Sequence, residues 1–254
     1  MGRRAVAVAE QERWVFNRLA ADYLQRPEYP PALVARLLAL AGGAPARIAD
    51  LGAGVGHLAL PLALAGAEVL AVEPAGEMLR ALQARAGRAP VVPVHAAAEN
   101  TGIPGGTCAL VLVADALQWL DPARAGREAA RILAPGGTVA VVEARLARSR
   151  LLDALAALVV EANPRARPSP PGRLRHFFSL AAGRPPISER FAHVERLEGA
   201  RLDAVLRSLS TVGPALAPAR LAGLLDRARA LAAAHGGAAW SREITLHWAR
   251  ARRA

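Results

Sequence analysis

This 254-residue chain contains no lysine and a single cysteine, Cys108, and only 4% of its residues are aromatic. One cysteine excludes an internal disulfide and any cysteine-rich zinc cluster. The six histidines, at positions 57, 95, 176, 193, 235 and 247, show no His-x-x-x-His spacing, so no metal site is expected. Long apolar runs are also absent. Arg, Glu, Asp or Pro interrupts each stretch well before the ~20 residues that cross a bilayer. The start Met1-Gly2-Arg3-Arg4 leads into an apolar patch too short for a secretory signal. A soluble, cytoplasmic chain without membrane partners is the expectation.

The apolar fraction is 53%, carried by Ala, Leu and Val rather than aromatics, which suits helices covering a parallel sheet. The net charge of +11 invites a polyanion partner, but all 32 basic residues are arginine, the signature of biased codon use. Their dense groups are 145, 148 and 150; 165, 167, 173 and 175; and 250, 252 and 253. Nucleic acid is accordingly not expected as the partner, and the oligomeric expectation is a monomer or homodimer.

Two short segments are the most informative. Ile48-Ala49-Asp50-Leu51 is a buried-strand pattern that breaks into Gly52-Ala53-Gly54-Val55-Gly56, and Leu70-Ala71-Val72 is a second one ending on Glu73-Pro74. Glycines at a strand end let the main chain turn sharply and approach a ligand without a Cβ in the way. A carboxylate at the tip of the next strand can accept both ribose hydroxyls. His57-Leu58 after the last glycine excludes a triphosphate loop, which needs Lys and Ser or Thr there. The strict dinucleotide spacing G-x-G-x-x-G also fails, since Gly52, Gly54 and Gly56 read G-x-G-x-G. The plain alternative is a glycine turn serving only strand-to-helix packing.

From Ala46 to Glu143 strands and helices alternate as in a doubly wound sheet. Strands are expected at Ile48–Leu51, Val69–Val72, Val91–Val94, Leu110–Ala114 and Val139–Val142, the last fed by a turn at Pro135-Gly136-Gly137. Helices are expected near His57–Leu64, Glu77–Arg85 and Pro122–Leu133. Before the sheet, Gln11–Leu24 and Ala32–Leu40 read as helices split by Pro27, Pro30 and Pro31. After it come a helix near Leu151–Glu161, a Pro- and Arg-rich loop or broken helix from Asn163 to Pro186, a strand at Phe191–Leu197, helices at Arg201–Ser208 and Arg220–His235, and a closing strand at Glu243–Ala249. Ligand sites of such sheets lie beyond the carboxyl ends of the strands.

The glycine turn with Asp50 and Glu73 resembles motif I of the class I S-adenosylmethionine (SAM) methyltransferases. Ala98-Glu99 with Ile103-Pro104, the segment Ala114 to Asp121, and Arg131-Ile132-Leu133-Ala134-Pro135-Gly136-Gly137 resemble further motifs of the small-molecule type, in the branch of trans-aconitate methyltransferase-like enzymes. Phe16-Asn17-Arg18, Tyr23, Arg26-Pro27-Glu28-Tyr29-Pro30 and Arg207 to Val212 are similar to others of that branch. The resemblance implies an α/β fold, a Rossmann-like, doubly wound, mostly parallel seven-stranded sheet with N-terminal helices and a helical cap. It would be one domain over 1–254, with N-terminal helices in 1–40, a SAM-binding core in 41–150, a cap in 151–190 and the rest of the sheet in 191–254.

The implied activity is SAM-dependent methyl transfer to O, N or a carboxylate of a small-molecule acceptor, with an RNA methyltransferase and a non-catalytic SAM-fold interaction protein as alternatives. The resemblance places Gly52, Ala53 and Gly54 under the methionine portion of SAM, Glu73 on the ribose, Pro74 and Met78 beside adenine, and Ala98-Glu99 at its far edge. Asp50 orders the turn or pairs with the amino group, and Tyr23 and Asp115 complete the cofactor set. Arg26, Tyr29, Gln118 and Trp119 face the acceptor, although Tyr29, Met78 and Trp119 equally suit core packing. Gln118 stands where the branch has His, and an amide orients a substrate but does not ionise to take its proton. His176 is the other catalytic candidate. Ala97 and Ala109 replace polar residues usual in the family.

Overall fold

The computed structural model describes residues 15–164 and 172–251. The expected helix residues 11–14 and the arginines at 165, 167, 252 and 253 lie outside the described residues. In chain order the elements are helix α1 (15–23), α2 (Pro31–Leu40), β1 (Arg47–Leu51), α3 (Ala59–Leu64), β2 (Glu68–Val72), α4 (Gly76–Ala86), β3 (Val91–Val94) and β4 (Cys108–Ala114). A single 3-10 turn (Leu117–Trp119) follows, then α5 (Pro122–Ile132), β5 (Leu133–Leu146), α6 (Arg150–Ala162), α7 (Arg173–Ala181), β6 (Ile187–Leu197), α8 (Gly199–Arg207), α9 (Pro218–Ala234) and β7 (Ala238–Arg250). The seven strands form one sheet in the order β3-β2-β1-β4-β5-β7-β6. β1 pairs in parallel with both β2 and β4, β2 with β3, and β4 with β5.

Contacts divide the chain into two compact units, the first comprising Met1–Glu28, Arg145–Pro168 and Ala192–Glu243, the second Tyr29–Ala144, Ser169–Phe191 and Ile244–Ala254. In the second unit, period-two alternation along the strands feeds two cores. Ile48, Leu110, Leu112, Ala140 and Val142 pack with Leu33 and Leu37 of α2 and Leu62 of α3. Ala49, Leu51, Val111, Val113, Val139 and Val141 face the other way and pack with Ala125, Ala129 and Ile132 of α5 and Phe177 and Phe178 of α7. The first unit has its own core, in which Leu151, Leu152 and Leu155 of α6 meet Leu202, Val205 and Leu206 of α8, Leu224 and Leu225 of α9, and Trp240.

The strands of the first half match the sequence reading, and the rest departs from it in three places. The Pro- and Arg-rich stretch contains a regular helix, α7, whose Phe177 and Phe178 are fully buried in the sheet's core, while α6 packs in the core of the first unit. Pro135-Gly136-Gly137 is an irregularity inside β5 rather than a turn before it. Cys108 pairs with Leu133 but Leu110 with Thr138, so the proline and glycines absorb the extra residues. A Cβ on Gly137 would stand 2.9 Å from the Ala134 carbonyl and 3.0 Å from that of Ala109. Finally, β5, β6 and β7 are longer than expected, at 14, 11 and 13 residues.

Among the described residues no helix is long and apolar enough to cross a membrane, and no group of three or more His, Cys, Asp or Glu could hold a metal ion. The close approach of α5 and α7 depends on Gly126, where a Cβ would lie 2.9 Å from the Phe177 carbonyl oxygen and 3.1 Å from Leu180 Cβ. Gly126→Val should therefore lower stability by about 1–3 kcal/mol, the range for overpacking a well-filled core. A thermal or urea denaturation midpoint equal to that of the parent would contradict this helix pairing.

Candidate functional site

The site is built where β1 and β2 end. β1 runs apolar to Asp50-Leu51, and Gly52 then adopts φ +79°, a left-handed value that side chains resist. Its amide and that of Ala53 both donate to the Val72 carbonyl, at 2.8 and 3.0 Å. The next amide, of Gly54, donates to Glu73 Oε2 at 2.9 Å, and Glu73 Oε1 accepts from the Ala75 amide at 2.9 Å. Successive main-chain groups of the glycine turn are thus clamped onto the tip of β2.

The three glycines serve different ends. A Cβ on Gly52 would clash with Ala116 Cβ at 2.7 Å, and one on Gly56 would press on Leu82 at 3.0 Å, so both are required by packing. Around Gly54, at φ +56°, a Cβ would meet nothing within 4 Å. The main chain is therefore bare over open space at that one residue, as an approaching ligand needs.

Asp50 is the least comfortable group in the unit. It is 2% exposed, and its Oδ1 has no hydrogen-bond partner among the described residues. Burial first, and the nearby Glu73 carboxylate second, push its pKa up to about 7. A buried acceptor beside an open glycine turn fits a ligand carrying an amino or ammonium group, and a carboxylate held at the tip of β2 is an acceptor suited to hydroxyls.

At the end of β4, Asp115 adopts φ 48°, the one described non-glycine residue with positive φ. Its Oδ2 accepts from the Tyr29 hydroxyl and its Oδ1 from the Ala144 amide, both at 2.7 Å, while its own amide donates to the Val142 carbonyl. One carboxylate thus joins the segment before α2 to β5. Gln118 lies exposed on the following turn, its Nε2 3.4 Å from the Asp115 carbonyl, and Trp119 beside it is half-buried. Arg173 at the start of α7 donates to the carbonyls of Leu117 and Leu120 and fixes that turn from behind.

The loop between β3 and β4 is secured twice. Glu99 Oε1 accepts from the Asp121 amide at 2.9 Å, and Asp121 caps α5 by accepting from the amides of Ala123 and Arg124. Glu128 Oε1 accepts from the Thr101 amide and hydroxyl at 2.8 and 2.6 Å. Hydrogen bonds from Arg131, against the cost of burial and with help from Thr101, hold its carboxyl down at about 2. Glu128, Thr101 and Arg173 were not foreseen from sequence. Only the helix position of Glu128, three residues before Arg131, hinted at an ion pair.

The structure thus brings Asp50, Gly52, Ala53, Gly54, Glu73, Tyr29, Asp115 and Gln118 to the carboxyl-end rim of the second unit. Pro74 follows Glu73 with its carbonyl 3.1 Å from His95 Nε2, and Met78 and Ala98 are buried, at 1% and 2% exposure. Tyr23 and Arg26 belong to the first unit, where the Arg26 guanidinium lies 3.8 Å over the Tyr23 ring and donates to its hydroxyl and to Ser208. His176 is exposed on α7, with the core phenylalanines next to it in sequence.

The displaced Asp50 pKa makes stability depend on pH. The folded state holds this proton up to about pH 7, whereas an unfolded aspartate releases it near ~4, so the stability tied to it is present at low pH and lost as pH rises between those values. Asp50→Asn, which never ionises, should raise the melting temperature relative to the parent by an amount that grows from pH 4 to pH 7 and then levels off. A pH-independent difference would mean that Asp50 is not buried as an acid.

Residues 49–141 match a family described as a methyltransferase domain. An uncharacterized methyltransferase of Mycobacterium tuberculosis is 43% identical over 117 residues, which is 46% of each chain. A malonyl-[acyl-carrier protein] O-methyltransferase of Geobacter sulfurreducens is 38% identical over 135 residues, 50% of this chain and 51% of that one. The match therefore spans about half the length of these curated relatives. A solved structure of a proposed type II methyltransferase from Anaeromyxobacter dehalogenans shares the fold, with a TM-score of 0.65 at 24% identity over 90% of this chain and 99% of that chain. The family-matched stretch 49–141 contains the glycine turn, Glu73 and the Asp115 turn, and the fold that carries it is Rossmann-like.

Proposed function

We propose that the chain is a SAM-dependent methyltransferase acting on a small molecule. The observation that carries this reading is the rim of β1 and β2: a glycine whose missing Cβ leaves open space, an orphaned buried carboxylate oxygen of Asp50, and an acid clamped at the tip of β2. Bound SAM would supply an activated methyl group on a sulfonium. Gly52, Ala53 and Gly54 would bear its amino-acid end with Asp50 toward the ammonium, and Glu73 would take ribose hydroxyls. Pro74, Met78, Ala98 and Glu99 would border the base.

The protein's share of the rate is then positioning and exclusion of water. Asp115 holds the turn on which Gln118 projects, and the Gln118 amide can donate to an acceptor oxygen without removing a proton. A carboxylate acceptor needs no base, since it is ionised at neutral pH. Among the O, N and carboxylate options, a carboxylate is thus the acceptor that this rim serves best, and the Geobacter relative is named as an O-methyltransferase of malonyl-[acyl-carrier protein].

Calorimetric titration with SAM or S-adenosylhomocysteine should give a dissociation constant in the micromolar range or below, and absence of affinity at high micromolar concentration would reject the assignment. Glu73→Ala should weaken SAM binding by about 1.5–3 kcal/mol, the range for losing a hydrogen bond to a charged group. Because Glu73 also holds the Gly54 amide, Glu73→Gln serves as the companion variant. An unchanged dissociation constant in both, with folding intact, would remove the ribose from this position.

A further inference from the structure

At the far end of the sheet, in the order β5-β7-β6, three polar side chains on neighbouring strands form a connected chain outside both cores. Strand alternation sets their face. Val139 and Val141 of β5 and Ala249 of β7 pack with α5 and α7, and Glu143 and His247 share their parity. On β6, Glu189 turns to the opposite face, where it binds Arg36 and the Trp248 indole, so Ser188 falls on the His247 face. Ser188 Oγ lies 2.8 Å from His247 Nδ1, and His247 Nε2 lies 3.7 Å from Glu143 Oε2.

In the tautomer with the proton on Nε2, the nitrogen that faces the carboxylate, Nδ1 is bare and accepts the Ser188 hydroxyl. A serine hydroxyl on an imidazole whose other nitrogen is oriented by a carboxylate is the arrangement that nucleophilic acyl transfer needs. It is the serine–histidine–acid triad with the two ring nitrogens exchanged. Exposure agrees with such a use: the His247 side chain is only 14% exposed, while Ser188 is open to solvent. Arg190, two residues along the same face, is also exposed, and β6 ends the sheet, so every second amide of this strand points outward without a strand partner among the described residues. Those groups are the donors available to a developing oxyanion.

We propose that Ser188, His247 and Glu143 form a second site that cleaves activated acyl esters, aryl esters and thioesters, independently of the methyl-transfer rim. Ser188 Oγ bonds to the acyl carbon as its proton passes to His247 Nδ1. The carbon–oxygen or carbon–sulfur bond to the leaving group then breaks, and that group departs with the proton. Water repeats the cycle on the acyl-serine, giving a carboxylic acid and free Ser188. Glu143 is a positioning residue that acts through the imidazole.

Incubating the full chain with a biotin-linked fluorophosphonate at pH 8, followed by peptide mass mapping, should find one adduct, on Ser188. p-Nitrophenyl acetate should give an acyl-enzyme burst of about one equivalent. Ser188→Ala should abolish both while leaving S-adenosylhomocysteine binding unchanged, and His247→Gln should slow labelling by roughly 100-fold or more. Glu143→Gln should slow it by a smaller factor that Glu143→Asp partly restores. No adduct on Ser188 in the folded parent, or labelling equally fast in His247→Gln and Glu143→Gln, would overturn the site. Should His247→Gln fail to fold, the Glu143 pair and Ser188→Ala still decide the matter.

Discussion

The carboxylate of Glu73 on the amide of Gly54 is the interaction on which the rim depends. Two neighbouring amides already converge on the Val72 carbonyl, and the acid completes the fastening of β1's turn to β2's tip. Because both strands are parallel and in register from Arg47–Glu68 to Leu51–Val72, the clamp sits where their buried length ends. It brings a second carboxylate, Asp50, into a space from which water is excluded. The strain recorded in Asp50 and the openness at Gly54 are thus two results of one fastening.

How far the chain could be read before folding depended on whether a signal was local. Buried parallel strands are short apolar runs, and glycines at their ends are visible in the sequence, so β1, β2, β3 and β4 and the residues of the rim were legible. α7 was not, because Pro164, Pro168, Pro170 and Pro171 before it and Pro185 and Pro186 after it mask nine helical residues whose burial comes from Gly126 across the chain. β5 was read short because a proline and two glycines signal a turn, whereas the paired strand β4 accommodates them as an irregularity. The anchors of the β3–β4 loop escaped for a similar reason: Thr101 and Glu128 are far apart in sequence, and nothing local marks them as partners.

The arginine excess also becomes intelligible in the folded state. Arg36 grips Glu189, Arg47 pairs with Glu68 on the adjacent strand, and Arg227 meets Glu161 through both oxygens. The planar guanidinium suits such two-pronged contacts where an ammonium does not. Exposed pairs of this kind contribute little individually, about 0–1 kcal/mol each. A chain without lysine has thus turned a compositional bias into geometric fastening of its strands and helices.

The turn after β4 carries a consequence for how this protein can vary. Its backbone conformation is one that only glycine, asparagine and aspartate take up readily. Glycine would remove both acceptor oxygens, whereas asparagine, with its oxygen on the Ala144 amide, would keep the Tyr29 contact by donating its NH2 to that hydroxyl. Position 115 therefore has asparagine as its one near-equivalent although it is only half-buried, and that exchange reverses the direction of the bond to Tyr29.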